Sequence, residues 1–383
     1  MKNFVRFLAL LLIASLAVVG FAACGSVEKV YVIGGTGPLE GDNSVYGLAV
    51  LRGATIAIDE INNAGGLNGV KFKLDMRHDA CGAEEAATAY LSLVDAGMQV
   101  SIGSVTSGAA ASFADSAAED NVLCLTPSAS ADNVITAGNH SFRVCFGDPQ
   151  QGTIAADELV TNRGYEKIGV VYDSSDTYSS GIYAAFVERM TALEKVEGTD
   201  YVVYSFTNTS KSDFTTQVSG MAAAGCDVIF LPIYYAEAGL IARTAANQNF
   251  NAPILGCDGL DGVAEHIDGV TAEVRYITPF DVNSTVPSIA AFVAEYENRY
   301  NEKPNQFAAD GYDAVMIIYK AMKAANIDNV DISASDLCEA LKPLLTGGEF
   351  TYSGLTGDNM TWTTGGSCEK QANIVTVREA AAE

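Results

Sequence analysis

The sequence predicts an α/β protein with parallel β-sheets and two domains. Short apolar runs typical of strands alternate with helical patterns along almost the whole chain. Strands that are separated by helices pair in parallel and are joined by right-handed crossovers. The chain has 383 residues, and at about 100–200 residues per domain this length favours two domains. Hydrophobic residues make up 49% of the chain, which indicates a packed core rather than a disordered acidic polymer.

The first 23 residues are predicted to be a signal peptide. Lys2 and Arg6 precede an unbroken apolar run at 7–23 that ends in two alanines, and this is the pattern of a cleaved secretory leader. Cys24 follows directly, in an arrangement that resembles a bacterial lipobox. We therefore expect Cys24 to be acylated and to open a short linker at 24–28. The alternative is a membrane anchor that is never cleaved.

The first series of elements follows this leader. Its helix at 45–62 has Val50, Ala54 and Ile61 on one face, and the glycines of the segment at 64–69 end it. The series has strands at 29–35, 70–79, 99–103 and 121–125, and further helices at 83–97 and 108–119.

A second series begins after the segment "GDPQQG" at 147–152. It has helices at 152–163, 179–194, 211–224 and 235–247, and strands at 167–173, 200–206, 227–232 and 253–256. The later patterns are a strand at 274–280, helices at 287–301, 307–325 and 334–343, and a hairpin-like stretch at 359–379. We expect these late elements to complete the two lobes rather than to form a third domain.

Charge and cysteine spacing exclude several classes of function. Without Lys2 and Arg6 of the leader, 20 basic residues face 47 acidic ones, so the mature chain carries a net charge of −27. Such a surface repels phosphate and excludes nucleic-acid binding. None of the eight cysteines forms a C-x-x-C motif, and the three histidines show no zinc-binding spacing.

Four loops that follow predicted strands are rich in glycine, serine, threonine and aspartate. They lie at 34–44, 103–112, 126–132 and 172–181. In open α/β sheets, ligands bind beyond the carboxyl ends of the strands. Hydroxyl groups and free backbone N–H groups at helix N-termini suit an anion such as a carboxylate. The alternative is a set of ordinary caps and turns, where the same residues are enriched, but four such loops favour a binding site.

The glycines of the first loop do not form a dinucleotide-binding fingerprint. Gly35 and Gly37 are followed by Pro38, and Gly41 comes one residue too late for the spacing G-x-G-x-x-G. We expect a longer loop that brings the backbone close to a smaller ligand, and no cofactor. The sequence also lacks the G-x-S-x-G, H-E-x-x-H and P-loop motifs.

Two aspartates in glycine-containing segments are candidates for chemistry. Asp258 lies in "GCDGLDG" and Asp310 lies in "FAADGYDA". They could form a catalytic pair of carboxylates. One could instead bind an ammonium group while the other caps a helix, and this second interpretation needs no reaction.

Several segments resemble the leucine/isoleucine/valine-binding protein family, the type I periplasmic solute receptors of ABC transporters. The longest is "GPLEGDNSVYGLAVLRGATIAIDEINNAGGLNG", and the others are "DACGAEEAA", "IGSVTSG", "LTPSASAD", "VVYDSSDTYSSG" and "FAADGYDAV". The likeness covers nearly the whole mature chain, roughly residues 28 to 380, and these segments are its most specific parts. The resemblance implies two doubly wound parallel-sheet lobes joined by three crossovers, with an amino acid in the cleft between them.

The resemblance also implies the ligand contacts. Ser107 would donate a hydrogen bond to the ligand carboxylate. Ser128 would offer its backbone N–H to the carboxylate and its C=O to the ammonium group, and Ser130 would add its hydroxyl. The side-chain pocket would be lined by four aromatic residues, Tyr46, Tyr178, Tyr234 and Phe307. Such walls supply apolar area around a small ligand.

The ammonium group of the ligand is assigned to Asp258, which stands where the family often has glutamate. A zwitterion needs an acidic acceptor at one end because a buried charge without a partner is costly. Aspartate is one methylene shorter than glutamate, so the ammonium group must sit deeper or a water must bridge. Asp310 is a second candidate for sharing that role.

The cysteines depart from the family pattern. Cys81 matches a family cysteine whose partner position is occupied here by Thr106, so Cys81 is expected to be free or to pair elsewhere. Cys338–Cys368 is a further candidate disulfide, and export would permit such bonds.

The expected lobes comprise 29–148 with 282–358, and 149–281 with 359–380. The resemblance implies a monomeric, lipid-anchored receptor at the outer face of the cytoplasmic membrane or in the periplasm. It would close on an amino acid, foremost leucine, isoleucine or valine, and deliver it to the permease subunits of an ABC importer without catalysing a reaction. The alternatives are a receptor for another amide, urea or an aromatic acid, a ligand sensor, and an exported hydrolase or amidase.

Overall fold

The structure, a computed structural model, describes residues 29–135 and 140–380. It contains two β-sheets, and each is covered by helices to form a lobe. Within these residues, no helix has both the length and the apolar character needed to cross a bilayer. The predicted signal peptide at 1–23, the linker at 24–28 and the acylation of Cys24 lie outside the described residues.

The first sheet has five parallel strands in the order β2-β1-β3-β4-β5. Its strands are β1 (Tyr31–Gly37), β2 (Phe72–His78), β3 (Val100–Ser101), β4 (Cys124–Thr126) and β5 (Ser141–Arg143). Ile33 of β1 pairs with Leu74 on one side and Val100 on the other, so β1 lies inside the sheet. The loops after β1, β3 and β4 therefore open at one common edge, where ligands bind in such sheets.

The second sheet has six strands in the order β11-β10-β9-β8-β6-β7. Its strands are β6 (Ile168–Asp173), β7 (Tyr201–Phe206), β8 (Val228–Leu231), β9 (Ile254–Gly256), β10 (Val274–Thr278) and β11 (Asn373–Arg378). Five strands are parallel, and β11 runs antiparallel to β10. The loops after β6, β8 and β9 form the carboxyl edge of this lobe.

Ten α-helices connect the strands in the described residues. They are α1 (Ser44–Asn63), α2 (Ala83–Asp95), α3 (Ser107–Glu119), α4 (Asp148–Ala156), α5 (Thr177–Ala192), α6 (Thr215–Ala224), α7 (Tyr235–Asn247), α8 (Pro287–Tyr300), α9 (Gln306–Ala324) and α10 (Ala334–Thr346). Side-chain caps begin three of them: Asp176 accepts from the amide of Ser179 at 2.9 Å, and Asn305 and Ser333 cap α9 and α10. Such caps satisfy amides that the first helical turn leaves unpaired.

Helix α9 packs against α1 and thereby belongs to the first lobe. A β-carbon at Gly53 would overlap the backbone of Ala308, and one at Gly311 would overlap the backbone of Val50. Both glycines are therefore required for this close approach of two helices. The chain crosses between the lobes three times, before α4, before α8 and before β11.

The structure corrects four expectations about elements. The last strand does not form a hairpin with the preceding segment: β11 pairs with β10, and a short antiparallel bridge joins Trp362 to Cys368. Strand β5 was not predicted, because its sequence Ser-Phe-Arg contains one apolar residue and gives no apolar run. Helix α4 begins at Asp148 rather than at Gly152, because Pro149 is compatible with the first helical turn.

The fourth correction concerns the glycines at the start of the chain's first loop. Gly35 and Gly37 lie within β1 and not in an extended loop. A β-carbon at Gly35 would lie 2.7 Å from Ile102, and one at Gly37 would lie 2.8 Å from Val105. These glycines therefore allow neighbouring protein atoms, rather than a ligand, to approach the strand.

Candidate ligand-binding site

A small cavity lies between the two lobes, beyond the carboxyl ends of their strands. Its lining contains seven of the predicted site residues: Tyr46, Ser107, Ser128, Tyr178, Tyr234, Asp258 and Phe307. Val105, Thr106 and Gly259 complete it. The cavity has a volume of about 10 Å³, which is room for about one water molecule. An amino acid therefore needs the lobes to separate or the side chains to move.

Hydroxyl and amide groups of the first lobe form one end of the cavity. Ser107 is the first residue of α3, so the unpaired amides of that helix start here. Its Oγ accepts a hydrogen bond from the Ala131 amide at 3.3 Å, which leaves its own hydrogen free to donate. The Ser128 hydroxyl donates to the Val105 carbonyl at 2.8 Å. This end suits an anion without a cationic side chain.

Asp258 of the second lobe lies in a short 3-10 turn (Asp258–Leu260) that follows β9. The residue is only 2% exposed, and the Tyr178 hydroxyl donates to its Oδ1 at 2.8 Å. Burial raises the pKa of Asp258 to about 6, although the hydrogen bond from Tyr178 acts in the opposite direction. A buried carboxylate with no lysine or arginine in the cavity lining is a favourable partner for an ammonium group.

Aromatic rings form the walls of the cavity. Tyr46 and Phe307 of the first lobe have ring centroids 4.4 Å apart. Tyr178 and Tyr234 of the second lobe stack with centroids 5.0 Å apart and an interplanar angle of 9°. The two pairs meet where Tyr46 approaches Tyr234, at 5.6 Å. These walls give an apolar environment to a small aliphatic group.

Tyr46 also joins the two lobes directly. Its hydroxyl donates to the Gly259 carbonyl at 2.5 Å and accepts from the Tyr235 amide at 3.1 Å. The Gly259 amide donates to the Tyr178 hydroxyl at 2.8 Å. Gly259 cannot carry a side chain here, because a β-carbon would lie 2.7 Å from that hydroxyl. The structure is therefore closed around the cavity.

Two predicted residues, Ser130 and Asp310, lie outside the cavity lining. Ser130 is fully buried, and its carbonyl accepts hydrogen bonds from Arg143 and from the amide of Asp148. Asp310 is also fully buried, with one oxygen 3.6 Å from Lys370 Nζ. Burial raises the pKa of Asp310 to about 7, and the Lys370 ammonium partly offsets the rise. The structure thus brings Asp310 to a cation of its own chain and not to the cavity.

The residues that sequence reasoning missed are neighbours of those it predicted. Val105 and Thr106 precede Ser107 in "GSVTSG", and Gly259 follows Asp258 in "GCDGLDG". They contribute backbone and small side chains, which carry little chemical signal in a sequence. The glycine pattern around Asp258 was the one sequence feature that could have indicated these missed residues.

The cysteines of the described residues are all free. The candidate disulfide Cys338–Cys368 is therefore wrong: Cys338 is buried in α10, and Cys368 is buried in the bridge with Trp362. Cys81 lies beside Asn43, whose amide donates to its sulfur at 3.6 Å. Burial raises the pKa of the Cys81 thiol, while hydrogen bonds from the side chains of Asn43 and Thr106 oppose the rise.

The fold and the cavity together define a class, that of two-lobed α/β binding proteins whose ligand site lies between the lobes. The family model described as "Periplasmic binding protein" matches residues 30–382. The chain belongs to that family. Within it, the chain is a member of the leucine/isoleucine/valine-binding group.

Known proteins resemble the chain over nearly its whole length. The Leu/Ile/Val-binding protein BraC3 of Rhizobium johnstonii is 30% identical over 349 residues, which cover 91% of this chain and 92% of that protein. The crystal structure of the leucine-binding protein LivK of Thermotoga maritima is 26% identical and gives a TM-score of 0.80, with 92% and 97% of the two chains covered. LivJ of Streptococcus pneumoniae, solved with isoleucine, is 27% identical with a TM-score of 0.76, and 91% and 100% are covered.

Proposed function

We propose that this protein is the solute-binding component of an ABC importer and that it captures an α-amino acid, foremost leucine, isoleucine or valine. The observation that carries the proposal is the pairing of opposite ends in one cavity. Asp258 offers a buried carboxylate at one end. At the other end, the N-terminus of α3 with Ser107 offers hydrogen-bond donors. A zwitterion satisfies both ends at once.

The ligand is proposed to lie across the cleft. Its ammonium group would contact Asp258, and its carboxylate would accept from the Ser107 hydroxyl and the Ser128 amide. Its side chain would lie against the aromatic rings of both lobes, including Tyr234 and Phe307. The names of the relatives BraC3 and LivK, and the isoleucine bound by LivJ, support a branched aliphatic side chain.

The lobe boundaries are part of the proposal. We assign 29–148 with 282–358 to the first lobe, and 149–281 with 359–380 to the second. The order of the strands supports these limits, since β1 to β5 precede residue 148 and β6 to β10 lie between 149 and 281. The packing of α9 on α1 supports the assignment of α8 to α10 to the first lobe, and the pairing of β11 with β10 supports the assignment of the last segment to the second.

The cellular role follows from the leader sequence and the family. We propose that the protein is exported, that Cys24 is acylated, and that the monomer meets permease subunits at the outer face of the cytoplasmic membrane. The ligand is expected to leave the site unchanged, since no catalytic motif is found in the sequence. Mass spectrometry of the membrane-associated protein would detect the acyl groups on Cys24.

The binding proposal is tested by calorimetric titration of residues 25–383. The protein is first unfolded and refolded to remove any ligand carried from the cell, and then titrated with leucine, isoleucine, valine and a panel of other amino acids. Micromolar or tighter binding of the branched three supports the proposal. Binding of a different amino acid alone would show that the ligand is an amino acid with another side chain. Binding only of urea, an amide or an aromatic acid would reject the amino-acid site and keep the receptor.

A further inference from the structure

The lobes meet at a second place, beside the ligand cavity, where Asp261 reaches the start of α9. Asp261 follows the 3-10 turn that carries Asp258, in the second lobe. Its Oδ2 accepts a hydrogen bond from the Gln306 amide at 2.7 Å. Gln306 is the first residue of α9, which packs on α1 in the first lobe. The contact therefore spans the cleft.

The chemistry of this contact favours a charged acceptor. The first amides of a helix have no partner within the helix, and the positive end of the helix dipole lies there. The side chain of Asn305, from the same lobe, already accepts from the Ala308 amide at 3.1 Å. Asp261 supplies the acceptor for a different amide, that of Gln306. Helix α9 is thus capped by two side chains, one from each lobe.

The contact is mechanically connected to the ligand cavity on both sides. On the second lobe, the Asp261 amide donates to the Asp258 carbonyl at 2.9 Å, so one short turn carries both carboxylates. On the first lobe, Gln306 is followed by Phe307, a wall of the cavity. Movement of the turn relative to α9 therefore alters the Asp261–Gln306 hydrogen bond and the ligand cavity together.

We propose that Asp261 is a positioning residue that holds the closed form by capping α9 across the cleft. Opening the lobes breaks this hydrogen bond and exposes both groups to water, so the cap contributes only when the protein is closed. A ligand trapped in the cleft leaves more slowly when the closed form is more populated. The effect on ligand release rests on the proposed function, whereas the effect on the lobes does not.

The same carboxylate has a neighbour within its own lobe, and this provides a matched control. The Tyr276 side chain, from β10, lies beside Asp261 and helps to hold the carboxylate. Tyr276→Phe removes that neighbour's hydroxyl but leaves the bond between the lobes. Asp261→Ala removes the bond between the lobes. If Asp261 served only the second lobe, the two variants would behave alike.

The test has a ligand-free arm and a ligand arm. In the ligand-free arm, small-angle scattering gives the radius of gyration, and hydrogen exchange gives the protection of the peptide that contains the Gln306 amide. We expect Asp261→Ala to raise the radius of gyration and to lose that protection, while Tyr276→Phe matches the parent protein. An unchanged radius and unchanged protection in Asp261→Ala would overturn the proposal, whether or not an amino acid binds.

In the ligand arm, stopped-flow kinetics measures association and dissociation of leucine. Charge-assisted hydrogen bonds of this kind are strong enough that their loss is expected to raise the dissociation rate about tenfold in Asp261→Ala. The association rate of Asp261→Ala should stay within about twofold of the parent value. Both rates of Tyr276→Phe should also stay within about twofold of the parent values. A dissociation rate equal to that of the parent would contradict the proposal. If Asp261→Ala does not fold, Asp261→Leu, which is close in size and has no acceptor for the Gln306 backbone amide, takes its place, and the same criteria apply to it.

Discussion

Two buried acidic regions lie near each other in this protein, and they differ in the partners that stabilise their carboxylates. In the ligand cavity, Asp258 has a tyrosine hydroxyl but no lysine or arginine in the lining. In the second region, which we call the crossover cluster, Asp310 faces Lys370 and Asp313 accepts hydrogen bonds from Tyr352 and Thr356. The cluster joins α9 to the segment before β11.

Asp258 and Asp310 differ in the partner of the carboxylate and not in its burial. Both Asp258 and Asp310 are almost completely buried, and burial raises the pKa of each. Asp310 finds its cation in the chain itself, at 3.6 Å. Among the residues that the structure describes, no lysine or arginine forms an ion pair with Asp258, so its ionised form is stabilised most by a cation that arrives from outside. The partner, and not the burial, indicates the role.

The largest expected effect is on the crossover cluster. Lys370→Met is expected to lower the free energy of unfolding by about 3–5 kcal/mol, because it leaves Asp310 buried without its cation. Urea denaturation followed by circular dichroism measures this value. The double variant Lys370→Met/Asp310→Asn removes both charges and should recover part of the stability. A single variant as stable as the parent would show that the pair is not needed.

The next largest expected effect, on amino-acid affinity, distinguishes the ligand cavity from the crossover cluster. Asp258→Ala is expected to weaken amino-acid binding at least tenfold, about 1.4 kcal/mol, because a buried ammonium group would lose its partner. Asp310→Asn, in the crossover cluster, should change affinity by less than about threefold in the folded protein. Calorimetry of both variants checks this. Unchanged affinity in Asp258→Ala would reject the ammonium role.

The pH dependence of binding should come mainly from Asp258. Its pKa is raised to about 6 by burial, and an ammonium group binds the ionised form. Affinity is therefore expected to be constant above pH 7 and to fall about tenfold per pH unit below 6. Titrations between pH 5 and 8 measure this, and Asp258→Asn should flatten the curve. A curve that keeps its slope in that variant would assign the titration to another group, such as Asp310.

A rise in pH is expected to strengthen ligand binding through Asp258 but to lower the contribution of Asp258 to the stability of the ligand-free protein. The folded carboxyl keeps its proton up to about pH 6, whereas the unfolded one loses it near pH 4. Between these values the native state binds more protons than the unfolded state, so the contribution of Asp258 to stability falls as the pH rises. Thermal unfolding of the parent and of Asp258→Asn over this range measures the difference.

The smallest expected effect on ligand affinity distinguishes Ser107 from Ser130. Ser107 lines the cavity, whereas Ser130 is buried and is not part of the lining. Ser107→Ala should weaken binding roughly three- to tenfold, in line with the loss of one hydrogen bond of about 0.5–1.5 kcal/mol. Ser130→Ala should change it less than about twofold. Equal losses from the two substitutions would mean that Ser130 turns into the cleft when the ligand is bound.

The sequence allowed the repeating part of the fold to be predicted. Strands such as β6 are short continuous apolar runs, and helices such as α1 show a clear helical period that ends before Gly65 and Gly66. Strand β5 has one apolar residue in three and gives no apolar run, and the pairing of β11 with β10 joins residues about 100 positions apart. Pairing over that distance depends on tertiary packing and leaves no local pattern.

The same physical reason separates the predicted from the unpredicted parts of the site. Ser107, Ser128 and Asp258 stand in loops that follow strands, where both the loop chemistry and the family resemblance point to a ligand. The partner of Asp310 is Lys370, 60 residues further along the chain, and no local pattern connects them. The capping of α9 by Asp261 is equally non-local, because it depends on how the lobes close.

The contact between Asp258 and the α-ammonium group of the ligand is the central proposal for this site. The most direct test titrates leucine and its analogue without the amino group, 4-methylpentanoate, into the parent protein and into Asp258→Asn. We predict that the parent prefers leucine at least tenfold and that Asp258→Asn loses most of this preference. Equal affinity for the two compounds in the parent, or a preference that survives in Asp258→Asn, would contradict the account.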